Sequence, residues 1–202
     1  MVMKVFRYLS KKDFYRLVQG LIKNFKLYGP VLKHGHPCYE LISRFEELKL
    51  STTPTHLSAK KFLFPPRETL LRFDREKAVC EPVIDAQEQA IIGLHSCDIH
   101  AMNLTDRVFS YGKPDANYLA RRSKTLIIGT ECLPDKFCFC KSMETMTVDK
   151  GFDIFLHETR HGFIAAIGSS KGERVIKRFA KTCPPSPREI KEVQGFKRKK
   201  EG

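Results

Sequence analysis

Three of the chain's seven cysteines, Cys132, Cys138 and Cys140, fall within the stretch CLPDKFCFC, and a fourth, Cys97, stands upstream in GLHSCDIH. Thiols set this close suit a metal ion, a metal-sulfur cluster or redox exchange. Their number is odd, and the opening MVMKVFRYLSKKDF holds no apolar signal-peptide core. The expected compartment is therefore the cytoplasm, where a disulfide framework is the poorer reading of seven cysteines. Zinc needs sulfurs roughly 3.8 Å apart, usually supplied by cysteines with two to four residues between them. Cys138 and Cys140 have only Phe139 between them, and in an extended segment such side chains share a face with Cβ atoms roughly 6.6 Å apart. That separation favours something wider than one ion, such as an iron-sulfur cubane with one thiolate per iron. The spacing C-x5-C-x-C is not the ferredoxin run, so spacing alone leaves a cluster, a zinc site, and redox or buried thiols all open.

The surrounding elements decide whether these thiols can meet. AIIGL at 90–94 and TLIIG at 125–129 are short, aliphatic and Gly-terminated, as buried strands tend to be, and IHAMNLTDRVF and DANYLARR between them read as helices. Cys97 follows the first run and Cys132 the second. Parallel neighbouring strands would bring both loops beyond their carboxyl ends, where open α/β sheets place ligands. Before this unit, Ser10 and Asp13 resemble a capping box ahead of Phe14, Leu17, Val18, Leu21, Ile22 and Phe25 at helical spacing, a helix expected to end at Gly29-Pro30. Further short helices are expected at YELISRFEELK and RETLLRF, the latter beyond Pro65-Pro66. After the cysteines, FDIFLHE and GFIAAIG read as a hairpin, a helix follows from Lys171, and the Pro-rich TCPPSPREI reads as an irregular exit from the folded part. With 202 residues, 42% apolar content and fifteen Phe, the chain can bury one substantial core. The expected fold is α/β: a single domain with a mixed, partly parallel sheet flanked by helices, over residues 1–182, followed by a basic, Pro-containing tail over 183–202.

Several flanking residues are candidates for the same site. Arg121 and Arg122 precede the cysteine loop and are expected as cations that offset thiolate charge, the alternative being an exposed helix C-terminus. Asp98 is expected chiefly to cap the helix that follows Cys97. His95 and His100 bracket Cys97, either as donors to a cluster or as ordinary satisfied histidines. His157 to His161 fits HExxH, but that motif works on a helix. Between two apolar, strand-like runs it reads as a hairpin turn with its histidines in solvent.

The net charge of +13, from 36 Lys and Arg against 23 Asp and Glu, suits an anionic partner of some kind. KGERVIKRFAK and FKRKKEG carry much of it without interleaved stacking aromatics, so nucleic acid is the weakest of these partners, and the segments read as a solvated helix and a frayed tail. No run approaches the roughly 18 apolar residues of a membrane span. Neither GxGxxG nor a P-loop occurs, so no motif indicates a flavin or nucleotide.

Three blocks carry a resemblance to a known family. GLHSCDIHAMNLTDRVF resembles a glycine, x, Arg or His, Pro or Ser, Cys-Asp block with a helix ending in Asp-x-Val-Phe. YLARRSKTLIIGTECLPDKFCFCKSMET resembles a block of tyrosine, paired arginines, strand, cysteine and Cys-Phe-Cys, and SAKKFLFPPRETLLRFD resembles a Ser-x-Lys-x-Phe-x-Phe-Pro-Pro segment. Together they are similar to the iron-sulfur beta subunits of cytosolic NiFe hydrogenases (sulfhydrogenases), relatives of the A subunit of anaerobic sulfite reductase. The resemblance implies an electron-transfer subunit, without catalysis of its own, that relays electrons between a flavin-containing subunit and a catalytic subunit. It implies one [4Fe-4S] cluster on Cys97, Cys132, Cys138 and Cys140, and ferredoxin-like and flavin-containing subunits as partners. Cys38, Cys80 and Cys183 fall outside the matched blocks and are expected as ordinary thiols. Typical members continue into a ferredoxin-like domain with two C-x2-C-x2-C-x3-C-P runs, and this chain contains neither. The alternative is a non-redox docking or assembly module with a structural zinc site or free thiols.

Overall fold

The computed structural model describes residues 5–50 and 55–201. The first strand, β1 (Val5–Ser10), runs directly into helix α1 (Lys11–Asn24) through the expected cap. Ser10 Oγ accepts the Asp13 N–H at 3.2 Å and donates to the Asp13 carboxylate at 2.6 Å. That hydrogen bond, followed by Arg16, holds the Asp13 carboxyl below its ordinary value against its partial burial. The helix stops at Asn24, short of Gly29-Pro30, because both residues belong to strand β2 (Lys26–Lys33). Proline is tolerated there since the parallel pairing of β2 ends at Tyr28, so no bond on that side needs the missing N–H.

The next two expected helices are also replaced. Tyr39, Glu40 and Leu41 lie in β3 (His36–Leu41), antiparallel to β2, and only a 3-10 turn at Phe45–Glu47 remains of the helix expected there. Tyr39 is buried and donates its hydroxyl to the Gly93 carbonyl at 2.8 Å, a strand-borne contact that outweighs local helix preference. After a 3-10 turn at Ala59–Phe62, the RETLLRF segment is extended: β4 (Leu71–Asp74) pairs with β5 (Val79–Pro82) as a separate two-stranded sheet. Asp74 Oδ1 accepts the N–H groups of Glu76 and Lys77, closing the turn that favours this hairpin.

The remaining elements follow the expected order: β6 (Gln89–Leu94), α2 (Ser96–Ser110), α3 (Ala116–Lys124), β7 (Thr125–Thr130), β8 (Ile154–Thr159), β9 (Gly162–Ile167) and α4 (Ser170–Phe179). The main sheet has seven strands in the order β1-β9-β8-β7-β6-β2-β3. The strands β2, β6, β7 and β8 are parallel to their neighbours within that group, while β1, β9 and β3 pair antiparallel. The architecture is thus α/β with a mixed, partly parallel sheet. Among the described residues, no helix is long and apolar enough to cross a membrane.

Alternation along the central strands builds two cores. Ala90, Ile92, Leu126 and Ile128 pack with Phe14, Leu17 and Leu21 of α1 and with Val175 and Ile176 of α4. Ile91, Leu94 and Ile127 pack with Ile99 and Met102 of α2 and with Tyr118 of α3. Each fully buried aliphatic contributes about 1.5–3 kcal/mol relative to exposure. Strict alternation would put Ile92 and Leu94 on one face, but the register of β6 against β7 shifts between them. Gly93 makes the shift, with φ of 86°, and a Cβ there would lie 2.7 Å from Pro30 Cδ.

The TCPPSPREI segment is more structured than expected. Cys183 and Tyr8 exchange backbone hydrogen bonds of 2.8 and 3.2 Å, and Pro187 opens a fifteen-residue helix, α5 (Pro187–Glu201), that packs on β8. The basic run expected as a frayed tail is helical up to Glu201.

Gly93→Ala should lower stability by about 2 kcal/mol, through both the left-handed backbone and the contact with Pro30. Urea unfolding of the two proteins measures it, and an unchanged midpoint would show that the bulge needs no glycine.

Candidate metal centre

Parallel pairing of β6 with β7 puts their carboxyl ends on one edge of the sheet. Cys97 occupies the first turn of α2 beyond β6, Cys132 lies two residues past β7, and Cys138 and Cys140 follow in the loop leading to β8. Cys97 and Cys140, from different loops, lie near enough to act on one another electrostatically. Burial pushes the Cys97 thiol up to about 12, and the neighbouring Asp98, Cys140 and Cys132 add to it. Burial likewise raises Cys132 to about 11, with Lys200 opposing and Cys140, Glu131 and Cys138 reinforcing. Cys138 is raised by burial too, although the Asp135 N–H donates to its sulfur at 3.3 Å and works the other way. All four thiols are half-buried and free of disulfides.

The loop alternates as the sequence does. Phe137 and Phe139 are 73% and 75% exposed, while Cys138 and Cys140 between and after them turn inward. The four thiols are neighbours at this edge of the sheet. Among the described residues, no set of three or more His, Cys, Asp or Glu side chains is arranged around a single metal ion.

The other expected site residues divide. Asp98 caps α2 as anticipated, accepting the His95 N–H at 3.4 Å, and burial raises its carboxyl. His95 is buried beside it, and burial lowers its imidazole. His100 turns away from the thiols, with Nε2 2.8 Å from the Thr147 carbonyl. Arg121 and Arg122 are not cations of this edge. They end α3 at the start of β7, and six strand residues at about 3.3 Å each set them roughly 20 Å from its far end. Buried Arg121 donates to the carbonyls of Leu63 and Asp85 and pairs with Glu68, and Arg122 forks onto both Asp106 oxygens at 3.1 Å. Both serve to fasten the segment before β4 and helix α2 to α3.

The cation beside the thiols is Lys200. Its side chain is 3% exposed, and Nζ lies 2.8 Å from Glu131 Oε2. Glu131 precedes Cys132, and its other oxygen lies 3.1 Å from His157 Nδ1, close enough to pair although not aligned as a hydrogen bond. Burial alone would raise the Glu131 carboxyl, yet His157 and Lys200 together hold it below its ordinary value. The HExxH residues do lie on a hairpin, with His161 in its turn, so the helical protease geometry is absent. His157, however, is buried in β8 and not in solvent. Sequence reading missed this triad because Lys200 sits in a basic run and Glu131 reads as a loop residue. The one available signal was the inward phase of His157 on an otherwise buried strand.

Breaking the triad should release α5. Lys200→Met should cost about 2 kcal/mol, since it leaves a buried carboxylate short of its main cation, and should speed trypsin cleavage within residues 187–201. Lys199→Met, on the exposed side, should shift stability by less than about 0.5 kcal/mol. Equal effects of the two substitutions would remove the triad from the account.

A scan against protein-family models finds no match. Comparison with curated proteins finds Sulfhydrogenase 2 subunit beta of Pyrococcus furiosus, 36% identical over 152 residues, which is 75% of this chain. The match spans 45% of that relative, so the chain corresponds to less than half of its length. On that likeness the chain belongs to the hydrogenase beta-subunit family.

Proposed function

We propose that this chain is an iron-sulfur electron-transfer subunit of a cytoplasmic oxidoreductase complex, with no catalysis of its own. Cys97, Cys132, Cys138 and Cys140 would hold one [4Fe-4S] cluster, which supplies one-electron transfer when bound. Residues 1–182 would act as the family's amino-terminal domain, with 183–202 as a basic appendage to it. The observation that carries this reading is the parallel pairing of β6 with β7, which brings Cys97 and the loop of Cys132, Cys138 and Cys140 to one edge of the sheet with no disulfide among them. Cys97 and Cys132, raised by burial and by neighbouring thiols, are poor company as bare thiolates, and iron is the counter-charge that would let them ionise. The chemistry of the donor set suits the group: four soft sulfur ligands at one edge of the sheet, with a backbone N–H already aimed at the Cys138 sulfur.

The chain's own residues have definable work in this scheme. Asp98 and His95 fix the first turn of α2, and hence the position of Cys97. Glu131, held by Lys200 and His157, fixes the backbone beside Cys132. The relative's name describes one subunit of a sulfhydrogenase, and by analogy the electrons here would pass between a flavin-containing subunit and a catalytic one, with ferredoxin-like centres alongside.

Iron and acid-labile sulfide on protein purified without oxygen should reach about four of each per chain, with a paramagnetic signal on reduction. Cys97→Ser and Cys140→Ser should each lose most of the iron, whereas Cys38→Ser and Cys183→Ser should retain it. Stoichiometric zinc, or folded protein that stays iron-free after reconstitution, would replace this reading with the docking-module alternative.

A further inference from the structure

The thiol-bearing edge is also where the surface is least suited to water. Phe137 and Phe139 each leave about three-quarters of their area exposed, on either side of Cys138, while the cysteines face inward. Two such rings left in solvent forgo the stabilisation that burial would give, and exposed aromatic pairs of this kind mark contact surfaces. The second observation is electrostatic. Of the four consecutive cations Lys197, Arg198, Lys199 and Lys200, only Lys200 turns inward, to Glu131 beside Cys132. Lys197, Arg198 and Lys199, all exposed, lie within one helical turn of that anchor. Lys136 adds a charge over the Phe137 ring, with Nζ 5.0 Å from the centroid.

An apolar centre bordered by cations is the pattern of a recognition surface whose rim steers an anionic partner. We propose that this edge is the docking face for an acidic redox-carrier protein, seated on Phe137 and Phe139 and steered by Lys136, Lys197, Arg198 and Lys199. A second copy of the chain is disfavoured as occupant, because it would bring two basic rims together in a molecule that already carries +13. An acidic carrier meets both requirements, and it would approach over the two residues nearest the sulfurs. That the partner is a redox carrier rests on the electron-transfer reading above; that it is an acidic protein rests on the face alone.

The probe is a purified acidic ferredoxin with two [4Fe-4S] clusters, titrated calorimetrically against the full chain, with basic cytochrome c as counter-probe. Iron content is measured on the same samples. The ferredoxin should bind, cytochrome c should not, and affinity should fall about tenfold or more between 20 and 200 mM salt. Phe137→Ser with Phe139→Ser should weaken binding about tenfold at either salt concentration. Lys197→Glu with Lys199→Glu should weaken it similarly and flatten the salt dependence, and neither pair should change iron content or the melting temperature. Iron-loaded protein that fails to bind the ferredoxin, or binds it equally after both sets of substitutions, overturns the docking face and leaves the cluster standing. Iron-free protein that binds with the expected losses supports the face and overturns the cluster. Binding to anionic phosphatidylserine vesicles, lost in the same variants and without ferredoxin binding, assigns the face to a lipid surface and overturns the proposal.

Discussion

The parallel pairing of β6 with β7 is the constraint on which the rest of the site depends. Five registered pairs, from Gln89 with Thr125 to Leu94 with Gly129, bring the two strands to a common carboxyl edge. Nothing in the spacing of Cys97 and Cys132 along the chain would otherwise unite them. The pairing is sustained by burial on both faces, since α1 and α4 cover one side and α2 and α3 the other. A parallel pair needs such cover, which is why β6 and β7 are aliphatic along nearly their whole length. The bulge at Gly93 then trims the end of β6, so that the chain enters α2 with Cys97 in its first turn.

The edge is completed by a charge taken out of water. Burying Lys200 and Glu131 costs solvation on both partners, and a pair so placed seldom adds much net stability by itself. What it does is select a position: α5, which is otherwise polar and exposed along most of its length, has one place on β8 where Lys200 can be satisfied. Such a device sets register more than it adds strength. It also puts a fixed positive charge beside Cys132 without an arginine from the preceding helix.

What could be read from the sequence divides along physical lines. The strand, helix, helix, strand unit around Cys97 and Cys132 was legible because its signals are local and agree: aliphatic runs for strands, amphipathic spacing for helices, and Ser10 with Asp13 for a cap. The hairpin of β8 and β9 was legible for the same reason. The helices that proved to be strands came where long-range pairing overrode local preference. Tyr39 to Leu41 and Leu71 to Asp74 have helical sequence character, but they are strands because partners lie across a turn. Arg121 and Arg122 were sequence neighbours of the cysteine loop, and a single strand between them reversed that proximity into opposite ends of the sheet. Lys200 could not be found at all, since one inward lysine in a run of cations differs from the others only by its place in three dimensions. The convergence of the cysteine loops followed from topology, whereas the influence of Cys140 on the Cys97 thiol needed the folded chain.

The edge position of β1 has a bearing on how the molecule is made. Its partner in the main sheet is β9, and its other backbone contact is with Cys183. During synthesis β1 precedes the other described strands and waits through more than a hundred and fifty residues for Gly162 to Ile167. All four cysteines at the sheet edge leave the ribosome within that interval, before Glu131 can meet Lys200. The thiols are therefore synthesised before the residues that cover them, and closing of the sheet at β1 and of α5 over β8 are nonlocal events of the kind that slow folding.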